Sequence, residues 1–403
     1  MITTINNKHK KLNVPNLRFP EFQGEWKNTT IGEIATIKNG PFGSVLHAED
    51  YVDEGMPIVT TEHFKSGNLP LSKNGIPQVS EDDYCRLKGY MLETDDIVFS
   101  RVGSVDINAH VEHVQQGWLF SGRVLRVRPI KSVNSLCLHY VLSTESVKRD
   151  IRNRAVGQTM PSINTPILSN TGIYMSQSEA EQKKIADLLS LIDERIATQN
   201  KIIEDLKKLK SAIIEKLYSE IQGKEYSYRQ LFDVVNERNK QMEYSNILSA
   251  SQEKGMINRD DLNLDIQFER SNINTYKIVR AGDYVIHLRS FQGGFAFSDK
   301  SGVCSPAYTI LRPNSFLEYS YLSNYFTSQR FIKSLIIVTY GIRDGRSINV
   351  DEWLSMKITI PSKEHQQYIV KIIGSFDRKI ESEEAYTILL SKQKQYILCK
   401  MFI

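Results

Sequence analysis

The side chains in this chain best placed to do chemistry are basic, and they come in two patterns. One is the run Arg123-x-x-Arg126-x-Arg128, in which apolar and basic residues alternate; the other is a glycine-flanked loop, Gly341-Ile342-Arg343-Asp344-Gly345-Arg346. Alternation over a strand turns Val124, Leu125 and Val127 toward a core and sends the guanidinium groups toward solvent or a ligand. Charge is also polarised along the chain. Residues 21–100 hold 6 basic and 14 acidic side chains, a balance of −8, whereas residues 101–176 hold 9 basic and 4 acidic, a balance of +5. That polarity is compatible with a polyanion meeting one face. A solvated charged surface would give the same count, so charge alone does not choose between them.

Covalent chemistry has little to work with. No GxxxxGK phosphate loop, no GxSxG elbow, no HExxH pair and no amino-methyltransferase tetrapeptide of the N/D-P-P-F/Y kind occurs in the sequence. Asp95-Asp96 reads as a turn cap before a strand rather than a metal pair, and His110-x-x-His113 reads as a pair with a surface or structural role. The four cysteines, Cys85, Cys137, Cys304 and Cys399, are scattered without a CxxC pair, which suits a reducing compartment and no metal site. A binding protein is favoured over an enzyme. At 403 residues, 40% hydrophobic and 24% charged, the composition is that of a soluble globular protein with no membrane span, expected in the cytoplasm.

Two long helices organise everything else. Residues 178–218 contain neither Pro nor Gly, and Ile185, Leu189, Ile192, Ile196, Ile203 and Leu206 recur at intervals of three and four, a narrow apolar seam. Ser178 with Glu181 three residues on forms a capping box. Residues 362–403 carry a second seam through Ile369, Ile373, Phe376, Ile380, Leu390 and Ile397. The two stretches match in register: Gln182 with Gln366, Ile185 with Ile369, Leu189 with Ile373, Asp193 with Asp377. Each is preceded by the tripeptide Ser-Ile-Asn, at 162–164 and at 347–349. The chain is therefore a tandem repeat of globular unit and long helix. We expect a polar mobile tail over 1–20, a globular unit over 21–177, a central helix over 178–222, a second globular unit over 223–361 and a final helix over 362–403. The fold class is α+β: two mixed units in tandem and two helices pairing as an antiparallel coiled coil, with a pseudo-twofold internal repeat. Within the units, helical segments are expected over 136–152 and 319–337.

This order resembles the specificity subunit of type I restriction–modification systems across essentially the whole chain. The carriers are Val14-Pro15-Asn16-Leu17-Arg18-Phe19-Pro20, then Trp26, Ile31-Gly32-Glu33, the duplicated units, and Glu181-Gln182-x-x-Ile185 at the first helix start. The second copy departs from the pattern with His365-Gln366-x-x-Ile369, where Glu364 is the substitute acid. The resemblance implies two target-recognition domains, each reading half of a bipartite site on double-stranded DNA, with helices that set the half-site spacing and dock two adenine-N6 methyltransferase subunits. Restriction and translocase subunits would join that core. S-adenosylmethionine, ATP and Mg²⁺ would sit on those partners, with no catalytic residue and no metal on this chain. The residues expected to touch DNA are Arg101, Arg123, Arg126 and Gln158 of the Gly157-Gln158-Thr159 loop in the first unit, and Arg289, Gln292, Arg343 and Arg346 in the second. Two other readings stay open: a coiled-coil adaptor that binds no nucleic acid, and an enzyme with a degenerate methyltransferase site.

Overall fold

The computed structural model describes residues 13–41, 46, 48–251, 254–261, 270–287, 294–340 and 347–403. It divides into two compact units, one made of residues 1–198 with 386–403 and the other of 199–385. The boundary cuts both long helices, so each unit owns one half of the helical pair.

The first unit is built on a four-stranded antiparallel sheet from Ala35–Asn39, Ile97–Ser100, Asn108–His110 and Val124–Pro129. Its spatial order is first, fourth, second, third, with Ile97 opposite Val127 and Phe99 opposite Leu125. Leu125 and Val127 enter the main core beside Trp26, Ile31 and Leu138. Val124 instead enters a second cluster with Val59, Phe64 and Phe120, because successive residues of a strand face opposite sides. A smaller sheet supplies that side, including Met56–Val59 running parallel to Leu119–Phe120.

The second unit repeats the larger sheet with Phe232–Val235, Tyr284–Ile286, Phe295–Phe297 and Thr309–Pro313 in the same spatial order. The clamp at its edge is repeated too. Asp96, buried before the second strand, takes two hydrogen bonds from Arg128, at 2.6 and 2.8 Å, and one from the Glu93 N–H. Asp283 takes two from Arg312, at 2.9 and 3.0 Å, and one from the Arg280 N–H. Asp95-Asp96 is thus a turn and ion-pair device, and no group of three or more metal-ligating side chains occurs among the described residues.

The long helices span Glu179–Ser219 and Lys363–Met401. Ser178 and Ser362 cap them equivalently, accepting from the N–H groups of Glu181 and His365. Gln182 and Gln366, both buried, then tie each helix start to its own globular unit: Gln182 accepts from the Asn134 N–H and donates to the Ser176 carbonyl, and Gln366 accepts from the Glu318 N–H and donates to the Pro361 carbonyl. Inside the first unit Lys394 pairs with Asp193, and inside the second Lys210 pairs with Asp377, each at 2.5 Å. Asp193 with Lys394 and Arg195 with Tyr386 in the first unit, and Gln199 with Glu383 and Lys210 with Asp377 in the second, pair rising numbers with falling ones, so the pairing is antiparallel in each unit.

Several sequence expectations are corrected. The apolar seam is not purely a contact between helices: Ile185 and Leu189 belong to the core of the first globular unit, and Ile369 and Ile373 to that of the second. Ile192, Ile196, Ile203, Leu206, Phe376, Ile380, Leu390 and Ile397 are buried or half-buried along the remaining turns. The capping box at Ser178 is half formed, because the Glu181 carboxylate turns to Arg18, at 2.6 and 2.9 Å, and to Ser176. Glu364, the substitute acid in the second copy, is exposed. In the segment read as a mobile tail, residues 13–20 are seated: Leu17 donates its N–H to Lys400, and the Asn13 carbonyl accepts from Trp26. The segment 136–152 is two helices, Ser135–Leu142 and Glu145–Arg154, broken where the Ser143 and Thr144 hydroxyls take back the carbonyls of His139 and Val141. The segment 319–337 is likewise split, with Ser328 capping a new helix at Gln329–Ser334.

Candidate nucleic-acid interface

Three chain segments meet at one end of the first unit. Thr60 to Glu62 follow the strand Met56–Val59, Arg101 follows Ile97–Ser100, and Ser121-Gly122-Arg123 join Leu119–Phe120 to Val124–Pro129. Backbone bonds lock them together: Ser121 N–H to Val59, Arg101 N–H to Arg123, and Gly40 N–H to Val124. Two glycines make that approach feasible. A Cβ on Gly40 would lie 1.9 Å from the Ser121 carbonyl oxygen, and one on Gly122 would lie 2.3 Å from that of Pro41. The result is a cleft of about 490 Å³ that includes Thr60, Glu62, Arg101, Ser121, Gly122 and Arg123.

The cleft holds buried polar groups that find no partner among the described residues. Arg101 is half-buried and donates through Nη1 to the Gly122 carbonyl at 3.0 Å, leaving its buried Nε without a partner among the described residues. The Ser121 hydroxyl is buried and equally bare. Buried polar atoms are nearly always paired, so these two, beside an open cleft, are available to a group that enters it. Arg123 is exposed and makes no hydrogen bond or ion pair among the described residues.

The sequence candidates divide as follows. Arg101 and Arg123 are brought together. Gln158 is exposed, in a loop whose ends are tied to the Arg101 segment through the Gly103 N–H to Pro161 and the Ile163 N–H to Arg101. Arg126 is not part of this cleft. It points to the side lined by Gly89, Gln116 and Arg128, where its Nε is buried without a partner and burial, reinforced by Arg128, pushes its pKa down. Arg289, Gln292, Arg343 and Arg346 lie outside the described residues. Glu62 and Ser121 were not among the candidates, since nothing local distinguishes them from other surface residues.

By the register of the two sheets, Val127 corresponds to Leu311, so Ala307 stands where Arg123 stands and Ile310 where Arg126 stands. The scaffold is kept while the residues at this edge of the sheet change.

Comparison with known proteins agrees with this duplicated design. The family model for the type I restriction modification DNA specificity domain matches twice, over residues 23–208 and 223–390. The type I restriction enzyme MjaVIII specificity subunit of Methanocaldococcus jannaschii is 24% identical over 421 residues, covering 95% of this chain and 92% of that protein. The crystal structure of the type I restriction–modification S subunit from M. genitalium is 15% identical with a TM-score of 0.54, covering 97% of this chain and 99% of that one. A chain from a structural study of complex assembly and conformational transition of the type I R-M system is 13% identical with a TM-score of 0.58, covering 93% of this chain and 97% of the other. No described helix is long and apolar enough to cross a membrane. With two copies of the family's domain accounting for most of its length, this chain belongs to the type I restriction–modification DNA specificity family, as a non-catalytic DNA-recognition subunit.

Proposed function

We propose that each globular unit reads one half of a bipartite site on double-stranded DNA, that the helices set the distance between the halves, and that methyltransferase and restriction subunits assemble on this chain in the cytoplasm. S-adenosylmethionine, ATP and Mg²⁺ then act on those partners. The observation that carries this reading is the paired contrast between Arg123 and Ala307: one clamped scaffold, two different reading edges. Arginine positions suit phosphate and guanine contacts, and different edges suit different half-sites. Apolar side chains left uncovered along the helices support docking of partner subunits, among them Leu191, Leu389 and Tyr396 in the first unit and Leu209 and Tyr368 in the second.

A module exchange tests it. Residues 27–175 are replaced by the matching segment of another family member, keeping Trp26 and Ser176, whose neighbours are Phe402 and Glu181. With methyltransferase present, mapping of modified adenines should show one half of the site changed and the other kept. Both halves unchanged would contradict modular reading. An adaptor without nucleic-acid contact would show no salt-dependent DNA affinity at all, whereas phosphate contacts give a steep salt slope.

A further inference from the structure

We propose that Arg123 and Glu62 together read a single G·C base pair in the half-site of the first unit; this rests on the DNA-reading function above and adds to it a base identity and a residue pair. The two side chains share one cleft but come from different loops, so the backbone bonds of Ser121 to Val59 and of Arg101 to Arg123 fix their relation. A forked donor beside an acceptor is complementary to G·C, the pair that offers two adjacent acceptors on one base next to an amino donor on the other. A guanidinium is a pure donor, and its best partner in the major groove is the O6/N7 acceptor pair of guanine. A carboxylate is a pure acceptor, and beside DNA phosphates it is repelled unless it meets an amino donor, which cytosine presents at N4. Guanine and its paired cytosine present those groups side by side. An A·T pair alternates acceptor, donor and acceptor across the groove, so it offers the arginine single contacts and never the bidentate one.

Neither side chain is committed to the fold. Arg123 makes no hydrogen bond or ion pair among the described residues and acts on Glu62 and Tyr51 only through its charge, while Arg128, farther along the same strand, is held by Asp96 and Glu93. Glu62 pairs with Lys65, and both of those side chains are more than half exposed, a pair weak enough to exchange for a base. In the same cleft the Ser121 hydroxyl is nine-tenths buried without a partner among the described residues. A base edge filling the cleft satisfies that hydroxyl as well.

The test uses the full chain assembled with its methyltransferase, on duplexes carrying the mapped target with each position of the first half-site varied in turn. R123Q and E62Q should each lose about 10- to 100-fold in discrimination at the same single G·C position, with other positions and the second half-site unchanged. R123K keeps the charge without the bidentate fork, so it should lose selectivity there while retaining the salt slope. Uniform weakening across all positions, with a shallower salt slope in R123Q, would make Arg123 a phosphate contact and overturn the proposal. So would effects of the two variants at different positions, or a first half-site without a G·C pair. Failure of the module exchange above would instead remove the underlying DNA-reading function. Both residues are exposed, and unchanged thermal melting of each variant checks that the fold is intact.

Discussion

His139 is buried, and its ring is held by a hydrogen-bond network inside the first unit. Its Nδ1 lies 2.7 Å from the Asn108 Oδ1, the Asn108 amide donates to the Ser143 hydroxyl, and that hydroxyl donates to the His139 carbonyl. Burial, followed by the nearby charges of His110, Lys394 and Lys148, pushes its pKa down to about 3. A histidine depressed in the fold binds its proton preferentially in the unfolded chain. Stability is therefore complete above the unfolded value near 6.5 and falls as pH drops toward 3, by up to about 1.4 kcal/mol per pH unit for one group. Between pH 6.5 and 5 most carboxylates have not begun to titrate, so the first unit should lose stability there while H139Q flattens the slope. His110, also depressed by burial, leaves a residual slope in the variant. Urea unfolding followed by hydrogen exchange in Ser135–Leu142 checks it, and an identical slope in the variant would exclude His139 as the source. Such a residue is invisible in sequence, where His110, His113 and His139 differ only by position. Arg18 was equally hidden. Its spacing from Glu181 is 163 residues, and only the fold shows that it claims the carboxylate that a local cap would have used.

The helices were the most legible elements, because their signals are local and repeated. The Ser caps, the buried Gln182 and Gln366, and the Asp193 and Asp377 ion pairs follow the matched register of the sequence. The cleft was not legible in the same way. Glu62, Arg101 and Arg123 are joined only by strand order, and alternation along Val124–Pro129 placed Arg126 on a different side from the loop that holds Arg123. Element length carries its own prediction. The helices are 41 and 39 residues long, and a rise of 1.5 Å per residue gives roughly 60 Å. Inserting four helix-forming residues after Thr198 and four before Tyr386 adds about 6 Å to each while keeping the flanking turns in near register. If the helices set half-site spacing, mapped methylation should show both half-site sequences retained and the gap between them lengthened by one or two base pairs, about 3.4 Å each. An unchanged gap would exclude the helices as the spacing element.

At the scale of the whole chain, the two units differ in how they are closed. The core of the first unit gathers residues from far apart in sequence: Trp26 and Ile31 near one end, Leu138 and Ile185 in the middle, Met401 and Phe402 at the other. Trp26 and Phe402 meet edge to face with ring centroids 5.9 Å apart, and Leu17 donates to the Lys400 carbonyl. The core of the second unit is drawn from residues between Ile214 and Ile373 and includes neither set. Removing the Phe402 ring therefore acts on one unit alone. F402A leaves a cavity against Trp26 and should cost the first unit about 3–5 kcal/mol, the usual range for a buried phenylalanine truncated to alanine. The cost should appear as lost hydrogen-exchange protection in Val124–Pro129 and Ser135–Leu142, with Thr309–Pro313 in the second unit unaffected. Discrimination within the first half-site should weaken as the strands that flank Arg101 and Arg123 loosen, while discrimination within the second half-site persists. Equal loss of protection in both units would mean that they fold as one cooperative body, and the two half-sites would then fail together.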